Sequence, residues 1–211
     1  MMLTTVLQNP NTHSLRALVA KIFPSLQWRH HGIGVLQAYV AENVEPEIRV
    51  HVWSRKLLKP GMDESGDIHD HRFMMVSHVL TGVVGHEEVI PEVKTGGGWR
   101  MMQLTHARAA KESAYHGPTT ELPGEFDVRT NTMFIPTGHS YRYPAQRFHR
   151  SPLPLDDERV AVTVVEKWQQ SDAPARILYP IDKPPVMAFG HDMDFSLVAG
   201  VLAKAMAALQ P

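Results

Sequence analysis

The chain has 211 residues, with 21 Lys and Arg against 22 Asp and Glu, a formal net charge of −1, and no cysteine. That balance, without a long run of one sign, leaves no electrostatic footprint for nucleic acid. The missing cysteine excludes disulfides, thiolate metal ligands and a cysteine nucleophile. A 43% apolar fraction suffices for one buried core, so residues 1–211 are expected to form a single domain. The first residues carry no basic and apolar signal-peptide pattern, and no segment approaches transmembrane length, so no membrane partner and a cytoplasmic location are expected.

In chain order, the first predicted element is a helix over 12–24. Leu15, Leu18, Val19, Ile22 and Phe23 repeat at helical spacing, Thr12 or Ser14 can cap the start, and Pro24 stops it. From about 30 to 170 the texture changes to short runs rich in Val, Ile, Tyr and Thr, punctuated by Gly, Pro and Asp. The runs are "GIGVLQAYVAE", "EIRVHVWSRKLL", "FMMVSHVLTGVVGHEEV", "GWRMMQLTHARA", "EFDVRTNTMFIP", "HSYRYP" and "RVAVTVVEKW". With no helical pattern between them they predict an all-β, antiparallel sandwich or barrel. "TGGGW" at 95–99 lacks the Lys-Ser/Thr and the following helix of a phosphate loop, and reads as a hairpin tip. The proline-rich stretch after Gln169 is expected to wrap the barrel in extended form. A second helix is predicted over 194–209, capped by Asp194, with Leu197, Val198, Val201, Leu202, Ala205, Met206 and Leu209 as its apolar stripe.

Chemistry enters at "SGDIHDHRFMMVSHVLTG", residues 65–82. His69 and His71 flank an aspartate, and on a strand two imidazoles two residues apart point the same way. With 13 histidines in the chain, chance gives on the order of one such pair, so a third ligand is needed. "GHSYRYPAQRFHRS", residues 138–151, offers His149.

These two segments resemble the cupins, small β-barrels with two histidine-bearing motifs. Gly138, Pro144 and His149 match the second motif, with Gln146 where the family has glycine. His69, His71 and Gly82 match the first, with Met75 where a glutamate ligand is expected and Gly61 or Gly66 as the upstream glycine. The missing glutamate makes the chain look most like the cysteine-dioxygenase branch, which holds Fe(II) with three neutral histidines. The resemblance implies a cupin-type antiparallel barrel (a double-stranded β-helix, or jelly roll) and a His69–His71–His149 centre holding Fe(II), with Zn, Ni or Mn as alternatives. It implies a dioxygenase acting on a small polar or anionic molecule, with that substrate and O₂ as partners and a homodimer left open. A non-oxidative isomerase or lyase is the second reading, and a non-catalytic ligand-binding cupin the third. The chain lacks the cysteine that the branch's mammalian members link to a tyrosine.

Around such a centre, His51, Tyr143 and Glu166 are the candidate catalytic residues: an imidazole among apolar neighbours, a phenol before the second motif's turn, and a carboxylate ending an apolar run. Arg72, Met75 and Tyr141 are the candidate substrate contacts, the arginine as an anion clamp, Met75 as pocket wall and Tyr141 as a phenol near the metal or else core packing. Arg49 and Arg55 are alternative clamps. Asp70 should alternate away from the metal into a turn or strand-end hydrogen bond. His78, His86, His106, His116, His139 and His191 lack a partner at metal spacing and read as solvated or structural.

Overall fold

The computed structural model describes residues 11–31, 33–42, 44–58, 68–104, 119–153, 159–169, 171–183 and 194–210. His106, His116, His191, Gly61 and Gly66 lie outside them. Helix α1 is Thr12–Ile22, followed by a 3-10 turn at Phe23–Ser25, and α2 is Phe195–Leu209. The strands are β1 Trp28–His31, β2 Ile33–Ala41, β3 Glu47–Leu58, β4 Ile68–His69, β5 Phe73–Thr81, β6 Val83–Val93, β7 Trp99–Leu104, β8 Thr119–Pro136, β9 Ser140–Tyr143, β10 Phe148–Arg150, β11 Ala161–Gln169 and β12 Arg176–Pro180.

The strands form two bodies. A six-stranded antiparallel sheet runs β1-β2-β3-β11-β5-β9, and β10-β4-β12-β7-β8-β6 close into a barrel. The architecture is all-β with a helix at either end, consistent with a cupin β-barrel. The sheet's even-numbered side chains on β3 and β11, Ile48, Val50, Val52, Val162 and Val164, pack against Leu15, Val19 and Phe23 of the first helix and Val198, Val201, Ala205 and Leu209 of the second. The odd-numbered side chains therefore face the barrel. There Val35, Trp53, Val79 and Ala161 meet Val84 and Ile135. Ile68, Val89, Met101, Phe126, Phe148 and Leu178, one from each barrel strand, make a separate core.

Several local expectations change. Asn11 caps the first helix, its side chain accepting from the backbone N–H of His13 and Ser14; Asn needs no extra backbone room to do what Thr12 or Ser14 was expected to do. Asp194 caps the second as expected, but Leu197 is exposed and lies off the stripe. The run 73–89 is two strands. Gly82, at φ +76, turns the chain from the sheet into the barrel, and a Cβ there would sit 2.6 Å from the Val160 carbonyl oxygen. The β region extends beyond 170, because part of the proline-rich stretch is β12, a full barrel strand. Pro180 is its last residue, and Pro174 lies two residues before its start. The 95–98 turn links two strands that both pair with β8 rather than with each other.

The crossings between the two bodies place the motifs. Thr137, Gly138 and His139 carry the chain from β8 to β9; the Gly138 N–H donates to the Val79 carbonyl and the Thr137 N–H to the Gly82 carbonyl. The next turn returns it to the barrel as β10. Gln146 occupies that turn at φ 61, the left-handed conformation for which glycine is suited.

Candidate metal centre

His69 and His149 are direct cross-strand neighbours on β4 and β10. His71 follows two residues later and faces the same way. The three rings form a near-equilateral set, with centroids 4.7 Å apart for His69 and His71, 4.8 Å for His69 and His149, and 4.9 Å for His71 and His149. One ligand atom from each lies within 4.8 Å of the others. The centre sits between the sheet's inner face and the outside of the closed barrel, on the side opposite Ile68 and Phe148, and not inside the barrel itself.

Backbone ties hold this geometry. Asp70 points away from the rings and is almost fully buried. It accepts from the Arg176 backbone N–H at 2.6 Å and from its Nε at 2.7 Å. The strand-end hydrogen bond expected for Asp70 is thus a buried ion pair with β12. Burial raises the Asp70 carboxyl above its ordinary value despite Arg176. The same guanidinium reaches the Gln146 carbonyl at 3.3 Å and lies over the Phe148 ring. The Gln146 backbone N–H in turn donates to the His71 carbonyl at 2.7 Å. Arg176 thereby joins both histidine motifs; it was not identified from the sequence, where only the alternation in "ARILYP" hints at a strand.

The donor set fits a divalent metal. Burial first, and then the neighbouring His69, hold His71 and His149 well below the ordinary imidazole range, so both are neutral imidazoles at pH 7, the form a metal ion requires. The Nδ1 of His149 lies 3.4 Å from the Arg147 carbonyl; donating there, it leaves Nε2 to the centre, the usual way a ligating imidazole is oriented.

The expected site residues divide. Met75 is buried against Tyr143 and Val165, with Tyr141 beside them. The Tyr143 hydroxyl donates to the Phe148 carbonyl at 2.6 Å, which pins the residue before His149. Burial raises its phenol, and raises that of Tyr141 to about 12, so both stay protonated. His51 lies on the inner face of β3, edge-on to Trp53 at 5.7 Å. Arg72 is half-buried, and its charge is felt at Lys167.

Glu166 is not in the pocket. It faces the helix side and bonds His78 at 2.8 Å, because it shares parity with Val164. Its neighbour Lys167 takes the inner position. The ammonium lies 4.0 Å above the Phe73 ring, which stacks on His71 at 4.3 Å, and contacts Glu47 at 2.8 Å. Burial and the nearby Arg49 pull Lys167 down to about 8. Lys167, Glu47 and Phe73 line a pocket of about 330 Å³. His86 is also within the site rather than solvated: it is 1% exposed, with its ring 4.5 Å from Tyr143 and 5.6 Å from His149. Strand parity groups each with its neighbours two residues away, but which parity faces inward is set by the partner strands.

No protein-family description matches the chain, and no curated protein does. Among solved structures it is similar to the DMSP lyases RdDddP and RnDddQII, at 13% identity over 82% of this chain and 75% of that one, with a TM-score of 0.43. An RmlC-like cupin from Shewanella frigidimarina NCIMB 400 matches at 13% over 71% and 88%, TM-score 0.35. KdgF from Halomonas sp. matches at 13% over 71% and 91%, TM-score 0.35. Likenesses this distant say nothing of what the chain binds. Among the described residues no helix is long and apolar enough to cross a membrane. What the chain itself presents is an all-β fold with a three-histidine group that could hold a metal ion.

Proposed function

We propose that the chain is a metal-dependent cupin enzyme that oxidises a small anionic molecule with O₂, using Fe(II) held by His69, His71 and His149. One observation carries the reading: the group consists of three imidazoles with no carboxylate among them, edged by the cations Lys167 and Arg49. Neutral ligands leave the ion its full charge, and two or three coordination positions remain for exogenous groups. Bound Fe(II) would supply the redox chemistry. Lys167 and Arg49, with Arg72, attract and orient the anionic group. Phe73, Met75 and Tyr141 wall the site against water. Tyr143 acts by fixing the His149 strand, and His51 remains a candidate proton carrier on the sheet side.

The test is anaerobic loading with Fe(II), addition of thiols, diketones and hydroxy acids in turn, and admission of oxygen. The expected result is oxygen uptake that depends on an anionic chelating substrate, with Lys167→Met raising KM about tenfold by losing a charge-assisted contact. A second reading is favoured by Lys167 itself. A buried amine near pKa 8 can take up a proton, as a Lewis-acid isomerase or lyase requires. Oxygen-independent turnover of the Zn or Ni protein, with Lys167→Met losing kcat rather than KM, would establish that reading instead.

A further inference from the structure

His86 is the most deeply buried imidazole at the site, and among the described residues neither ring nitrogen has a hydrogen-bond partner. Leaving such a group unsatisfied is costly, and native proteins rarely do so without a use for it. Strand β6 turns it inward: its cross-strand partner is Met133 and its ring lies against Tyr141, Tyr143 and His149. It does not belong to the ligand group, whose mutually close atoms come from His69, His71 and His149. It stands beside His149, its ring inclined by 30° to that of His149.

We infer that His86 is the side chain that hydrogen-bonds the small exogenous ligand at the three-histidine centre. The inference rests on the metal-site reading above and adds a residue to it. A neutral imidazole offers one N–H donor and one acceptor nitrogen. The donor suits a small anion or the anionic end of a substrate. The Tyr143 phenol cannot donate in its place, since it already donates to the Phe148 carbonyl. Met133 opposite is 45% exposed, so this flank lies close to solvent and to an incoming ligand.

The experiment uses Co(II) as the metal and azide as the probe, followed by absorption, in wild type, His86→Phe, His86→Gln and His149→Ala. His86→Phe keeps the ring shape and removes both unsatisfied nitrogens. Its metal-free form should therefore melt no lower than wild type, and it should take up Co(II) with wild-type stoichiometry and affinity. Its azide Kd should rise about tenfold, the weight of one hydrogen bond to a charged group. His86→Gln, which retains a donor, should fall between. An azide Kd within about twofold of wild type in the folded Phe variant overturns the inference. Loss of Co(II) as complete as in His149→Ala overturns it differently, making His86 a fourth ligand. A wild type that takes up no Co(II) removes the metal site and this inference with it.

Discussion

Two side chains one residue apart, Glu166 and Lys167, have opposite fates. Period 2 sends one to the helices and the other to the site, and nothing local in "VAVTVVEKW" says which parity faces inward. The histidines were legible because both motifs have fixed spacings; His86 and Lys167 were not, because their placement depends on partner strands. The buried imidazoles also set a pH dependence. His86 is held at about 4, against 6.5 for a free histidine, by burial, and His149 is held low as well. The folded state therefore binds fewer protons than the unfolded chain as pH falls below 6.5. Their stabilising contribution is full above that value and is lost toward the folded pKa. His86 alone should cost the metal-free protein about 3 kcal/mol between pH 6.5 and 4. Urea melts of metal-free protein at pH 7.5, 6, 5 and 4.5 measure it; stability that stays flat down to pH 5 would mean that these rings are solvated.

At the scale of elements, the turns that change body carry more of the fold than the strands they join. Most strands were readable from alternation and punctuation. The strands β4 and β10 were not, because two or three residues have no period. Each exists because the adjoining segment fixes it, through the Asp70–Arg176 pair and the Gln146 turn. Gln146 gives a direct measure of that turn. At φ 61 a side chain costs about 1–2 kcal/mol relative to glycine, while the Gln146 Nε2 regains part of it with a 3.3 Å bond to the His71 carbonyl. Gln146→Gly should be neutral to about 1 kcal/mol stabilising. Gln146→Ala keeps the strain, loses the side-chain bond and should fall below both in a chemical denaturation series. An alanine variant as stable as the glycine variant would mean that the turn has relaxed out of the left-handed region.

For the whole molecule, the centre belongs to the barrel and its walls to the sheet. All three histidines of the group stand on or beside β4 and β10, while Met75, Tyr143, Lys167 and Arg49 come from the opposing sheet. The fold class was legible because many short alternating runs permit little else. The seam was not, since no single run records which body it joins. An ion bound here would clip β4 to β10, two of the shortest strands, whose only mutual register pair is His69 with His149. Because binding requires the folded arrangement, its free energy adds to stability. At free metal a hundredfold above Kd the gain is about 2.7 kcal/mol, which for a domain of this size raises Tm by about 5–10 °C. Calorimetry with and without Fe(II) or Zn(II), reversed by a chelator, measures the shift. His149→Ala should show none, while its metal-free Tm stays within a few degrees of wild type, because the helix-backed sheet core does not include that residue. Equal metal-induced shifts in wild type and His149→Ala would place the ion at other residues.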